Sequence, residues 1–150
     1  MDSLYHPLVI LHLTSAIVWV GAVFMGTFVD WPVIRAATAN GRFPFDFIVG
    51  QGVKVGPAVY VGITSQVVSA IGLVILRPPQ TAQDALMLGV KSLCLAWMAG
   101  STIYGTFKTW PKLIFALDED AFRYYKTYMV RATITFTCGI VAAVIGHFCR

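Results

Sequence analysis

The groups in this chain of 150 residues that could do chemistry are three histidines, one lysine deep in an apolar run, and a few sulfur atoms. His12 lies in the first long apolar stretch and Lys91 in the third. His6 lies near one end of the chain, His147 and Cys149 near the other, and Met87 stands one helical turn before Lys91. Together they offer imidazole, thiol and thioether ligands. Soft ligands of this kind suit copper(I), and imidazole also suits haem iron. A ligating His12 has to be neutral at its coordinating nitrogen, with the other nitrogen held by a carbonyl or by Ser15 one turn on. The competing reading makes His12 a structural hydrogen-bonder and Lys91 a side chain that snorkels outward.

Other chemistry finds no support. The chain has no CxxC, HExxH, GxSxG or P-loop motif and no paired carboxylates, which leaves hydrolysis, acyl transfer and nucleotide chemistry without a residue set. No carboxylate lies well inside an apolar run, which argues against a proton-coupled carrier. The net charge of +4 comes from scattered residues without a binding motif, so no nucleic-acid partner is expected.

The elements that must position these groups follow from composition. Hydrophobic residues make up 57% of the chain and charged residues 12%, about half the usual ~25%. Mean hydropathy is +0.73. A soluble domain this small has too much surface to cover with so few charges, and disorder needs the opposite composition. Three cysteines do not make a disulfide framework. The chain belongs in a lipid bilayer.

A hydrocarbon core of ~30 Å takes about 20 helical residues. Four segments have that length, at about residues 7–29, 57–76, 85–107 and 128–148. The expected fold is all-α, a polytopic four-helix bundle of up-down-up-down topology. Pro7 and Pro57 are placed at helix starts, Arg77-Pro78-Pro79 stops the second helix, and Pro111 lies beyond the third. Asp118-Glu119-Asp120 opens the fourth with an acidic first turn. Asn40-Gly41, Pro44 and four glycines between Val33 and Gly56 read as a turn followed by a short interfacial stretch, and no internal repeat is read along the chain. The first span has no basic n-region and is too long for a cleaved signal peptide, so it is retained. The loops distal to the termini carry Arg35, Arg42, Lys54, Lys108, Lys112, Arg123 and Lys126, against Arg77 and Arg150 on the terminal side. By the positive-inside rule both termini lie outside a bacterial-type inner membrane.

Each span carries a stripe of small or polar residues at helical spacing, and such faces turn toward other helices. The stripes are His12, Ser15, Trp19, Ala22 and Gly26; Gly62, Ser65, Gln66, Ser69 and Leu73; Met87, Lys91, Cys94, Met98, Ser101 and Gly105; and Arg131, Thr135, Cys138 and Ala142. His12 and Lys91 each lie six residues, about 9 Å, from their helix centres on the terminal side and should share one layer. Arg131 mirrors them on the other half, with Tyr104, Thr106 or Asp30 as receiving groups. Spare small-residue pairs, Ala96 with Gly100 among them, suggest other membrane subunits as partners beside the bilayer itself.

The order Leu11-His12-Leu13, Trp19-Val20-Gly21, Asp30-Trp31-Pro32, then Gly89-Val90-Lys91-Ser92-Leu93 and Trp110-Pro111-Lys112-Leu113 resembles the CopD/HemJ group of small four-helix membrane proteins. That group includes copper-resistance D domains and membrane protoporphyrinogen oxidases. The resemblance implies a haem b centre, with copper as the alternative, at the first-helix histidine, matched here by His12. The lysine position is matched by Lys91. Porphyrin or quinone is then the expected small-molecule partner. The chain departs from a bis-histidine haem protein, having no second histidine well inside the bundle. The haem would be five-coordinate or take a sixth ligand from Lys91 or Met87, and a copper site would draw on His12, Met87, His6 and His147.

Overall fold

A computed structural model describes the backbone of residues 2–148 and the side chains of residues 3–146. The chain is an all-α bundle without strands among the described residues. Helix α1 (Asp2–Phe24) runs through a π-helical segment, π1 (Met25–Asp30), into α2 (Trp31–Ala39). A turn leads to α3 (Phe45–Leu76). The second half repeats this plan: α4 (Ala82–Tyr104), π2 (Gly105–Thr109), α5 (Trp110–Ile114) and α6 (Asp118–Phe148). Four continuous helical rods result, of 37, 32, 33 and 29 residues, each long and apolar enough to cross a membrane. The chain is a multi-pass membrane protein. Large apolar residues such as Ile17 (73% exposed), Ile75 (74%) and Leu93 (73%) point away from the bundle, where only lipid can cover them.

The rods are longer than the expected spans, and the prolines are not where their boundaries were drawn. Pro7 and Pro57 lie inside α1 and α3, and the helix over Pro111 continues to Ile114. The stretch from Phe45 to Gly56, expected to be interfacial, is the first third of α3. Only Asn40-Gly41 makes the turn, with Gly41 in the left-handed region at φ +87°. The reason lies in packing. At 1.5 Å per residue these rods are roughly 44–56 Å long, against a hydrocarbon core of ~30 Å. The surplus projects on the loop side and builds a second core there from Ile34, Phe43, Ile48, Leu113, Ala121, Tyr125 and Met129. Trp31 stacks on Phe122 at its edge, 5.6 Å between ring centroids. Within the bundle the core is Trp19, Ile63 and Met98.

The π segments show how a helix passes a proline. A proline lacks the N–H and crowds the carbonyl four residues back. Trp31 N–H reaches Gly26 O and Trp110 N–H reaches Gly105 O, five residues back in each case, just before Pro32 and Pro111. The two places share one sequence: Gly26-Thr27-Phe28 with Trp31-Pro32, and Gly105-Thr106-Phe107 with Trp110-Pro111, 79 residues apart. Gly62-Ile63 and Gly139-Ile140 are related in the same way, 77 residues apart. The chain therefore contains an internal repeat, two helical hairpins of the same sense, contrary to the linear reading. In this register Trp19 matches Met98, Ile34 matches Leu113, and His12 matches Lys91. Within each repeat the helices pair closely, α1 on α3 and α4 on α6, and α1 also packs on α6. Between α3 and α4 there is no comparable approach.

Candidate functional site

His12 projects from α1 toward α3, because its stripe of Ser15 and Trp19 packs against Gly62, where Trp19 Cβ comes within 3.5 Å of the position a β-carbon would take. This close approach brings Gln66 and Ser69 to the two edges of the imidazole. Ser15 Oγ donates to Gln66 Oε1 at 2.7 Å, so the amide nitrogen of Gln66 faces His12 Nε2, at 3.0 Å. Nε2 is thereby the acceptor, and the ring proton sits on Nδ1, which donates to Ser69 Oγ at 3.0 Å. Ser69 donates in turn to the Ser65 carbonyl at 2.6 Å. Each donor in this chain has one acceptor, and the neutral imidazole is satisfied at both nitrogens by α3. Ser15 also lies 3.0 Å from the His12 carbonyl, but it does not hold the ring as expected. Both ring partners come from the neighbouring helix.

Lys91 is half-buried on α4, and its Nζ lies 3.9 Å from where a β-carbon of Gly146 would be. Met87 is half-buried one turn away. His6 is exposed, edge-on to Tyr5, whose other contact is the Arg77 guanidinium 3.8 Å above its ring. The His147 side chain and Cys149 lie outside the described residues. Among the described residues no three His, Cys, Asp or Glu side chains gather to hold a metal ion. The donor set suits one axial bond at His12 Nε2, and only after Gln66 has turned away.

A cavity lies on the other half. A space of about 200 Å³ lies among all four rods, from the level of Trp19, Tyr60 and Thr135 to that of Ile48 and Trp110. Ala22, Gly26 and Gly56 leave it wide, and a β-carbon at either glycine would meet nothing within 4 Å. Trp19 Nε1 and Tyr60 Oη, on two of its walls, are buried and have no hydrogen-bond partner. Both are donors. Trp19 was legible as an inward residue but not as an orphaned donor, and nothing in the sequence singled out Tyr60.

Arg131 enters the wall of the cavity by its stem, while its guanidinium lies 4.2 Å above the Tyr104 ring and 3.5 Å from Thr109 Oγ1. Of the three receiving groups expected for it, Tyr104 is the one used. Asp30 instead accepts from Gln51. Comparison with protein-family models, curated proteins and solved structures returns no match.

Proposed function

We propose that this multi-pass protein binds, in the loop-side cavity, the head of a membrane-dissolved molecule that carries hydrogen-bond acceptors, a quinone in the first instance. The observation that carries the reading is the pair of orphaned donors, Trp19 Nε1 and Tyr60 Oη, on walls widened by glycine and alanine. A buried donor without a partner costs about 1–3 kcal/mol, which a carbonyl accepting from it recovers. Size favours the quinone among the expected partners. Sites that enclose a drug-sized molecule measure ~300–1,000 Å³, so this cavity takes a head group and not a whole porphyrin. The tail then lies toward the bilayer between α3 and α4, which do not pack closely on each other. The distribution of Lys and Arg supports an inner membrane with both termini outside.

Two tryptophans, Trp19 and Trp110, border the cavity, so their fluorescence reports on it. A short-tailed benzoquinone should quench saturably in wild type. Gly56→Leu, which points a side chain into open space, should abolish saturation without loss of fold. Trp19→Phe or Tyr60→Phe should weaken binding about two- to tenfold, the worth of one hydrogen bond. Unchanged saturation in Gly56→Leu refutes the site.

A second reading keeps haem b, or copper, at His12. It is favoured by the ring's tautomer: a ligating histidine donates its far N–H to a second-shell acceptor, and here Ser69 accepts from Nδ1 and leaves Nε2 as the lone-pair nitrogen. A Soret band that disappears in His12→Ala supports it. Purified protein without that band and without bound copper excludes it.

A further inference from the structure

We propose that Arg131 anchors the phosphate of an anionic lipid in a groove on the outer face of α4. The groove is lined by Ala96, Trp97, Gly100, Ser101, Tyr104 and Arg131, and it shares Ser101 and Arg131 with the wall of the cavity. Its floor is open: a β-carbon at Gly100 would meet nothing within 4 Å, and Ala96 beside it is exposed. Trp97 and Tyr104, its aromatic walls, are each about half exposed (48% and 49%). These are residues on the lipid-facing side of a membrane rod, so the groove opens to the bilayer and not to water.

The guanidinium above the Tyr104 ring has no acidic partner among the described residues. The single ion pair there joins Arg123 to Asp120, and Asp30 is engaged by Gln51. Thr109 Oγ1 is a neutral contact at 3.5 Å. A cation held at membrane depth without a counter-ion is costly, and it reaches for charge at the interface. Arg131 lies about one turn past residue 128, where the fourth apolar run of the sequence begins on the loop side. The nearest anions that a bilayer offers at that level are lipid phosphates. Arginine binds phosphate through paired N–H donors, and tryptophan and tyrosine favour the headgroup level.

The internal repeat provides a control within the same molecule. The position of Arg131 is matched in α3 by Lys54, which is exposed, and Trp97 and Tyr104 are matched by Val18 in α1 and Met25 in π1. The first hairpin thus has the basic residue without the aromatic walls. The second has both, together with the open floor.

Native mass spectrometry of the detergent-solubilised protein, titrated with phosphatidylglycerol and with phosphatidylcholine, tests this. Phosphatidylglycerol should bind about five- to tenfold more tightly. The preference should vanish in Arg131→Gln, survive in Arg131→Lys at reduced strength, and vanish also in Gly100→Leu, which fills the groove and leaves the charge in place. Because Gly100 meets no neighbour, that variant should keep the wild-type melting temperature. Equal binding of the two lipids overturns the proposal. So does a preference that Gly100→Leu leaves intact, or one that millimolar inorganic phosphate removes, which would make the ligand a free anion. A lipid-free dimer that Gly100→Leu dissociates would assign the groove to a second copy and also overturn it.

Discussion

Removing the Gln66 amide should unlock the His12 layer. In Gln66→Leu the volume is nearly kept, but two hydrogen bonds go, one from Ser15 and one to His12 Nε2. Side-chain bonds within membrane proteins average about 0.6 kcal/mol and reach about 1.7. The loss of two, with Nε2 left as a buried acceptor without a donor at about 1–3 kcal/mol, gives a total of roughly 2–4 kcal/mol. Ser69→Ala removes the acceptor of one ring N–H and should cost about 1–2 kcal/mol. Ser15→Ala removes only the donor to Gln66 Oε1 and should cost about 1 kcal/mol or less. Reversible unfolding in mixed micelles measures all three, and 15N spectra of labelled histidine report which nitrogen carries the proton. The order Gln66, Ser69, Ser15 is required by the direction of donation. A Ser15→Ala loss as large as that of Gln66→Leu, or a proton found on Nε2, would refute the assignment of that direction.

A methyl group at Gly52 would run into the Trp110 ring. Gly52→Ala should therefore cost about 1–3 kcal/mol by overpacking, and Trp110→Leu in the same chain should recover most of it. Gly56→Ala, one turn on and facing open space, should be neutral or stabilising by up to about 1 kcal/mol. For the orientation, an impermeant maleimide applied to whole cells should label Gln80→Cys in the α3–α4 loop and spare Arg42→Cys in the α2–α3 turn. The reverse pattern would invert the protein in the membrane.

The four stripes were legible because lipid leaves little choice: small and polar residues recurring every three or four positions have nowhere to face but another helix. Ser15, Trp19, Ser69, Met98 and Thr135, each read as inward-facing, are buried. The boundaries were not legible, for a physical reason. Proline and glycine break helices in water, but a rod buried among others tolerates Pro57, and the π segments absorb Pro32 and Pro111. Gly52 reads as a breaker along the chain, yet it is in the helix because Trp110 lies against its backbone. Nor could spacing alone show that His12 would find Gln66 and Ser69. That pairing depends on the rotation of α3 about its axis, which the contact of Gly62 with Trp19 determines.

The repeat gives the pair His12 and Lys91 a simpler origin than a shared ligand. They occupy one position in two copies of the same hairpin, which is why each stands six residues from its helix centre. Their surroundings have diverged in step. Gln66 and Ser69, the partners of His12, are matched in α6 by Ala143 and Gly146, neither of which can accept or donate through a side chain. A lysine needs acceptors and a neutral imidazole needs one of each kind, so neither residue could exchange places without changing its partners too. Where Ser69 Oγ meets the imidazole in the first hairpin, the ammonium in the second lies 3.9 Å from where a β-carbon of Gly146 would be. One scaffold thus holds a closed, neutral network on one side of the bundle and a cation beside a gap on the other. With Arg131 at the opposite end of the second hairpin, both basic residues of the four inward-facing stripes, Lys91 and Arg131, belong to that hairpin. Any anionic group that this protein meets inside the membrane will therefore find its counter-charge on α4 and α6, and the His12 layer will meet it only as a wall of paired dipoles.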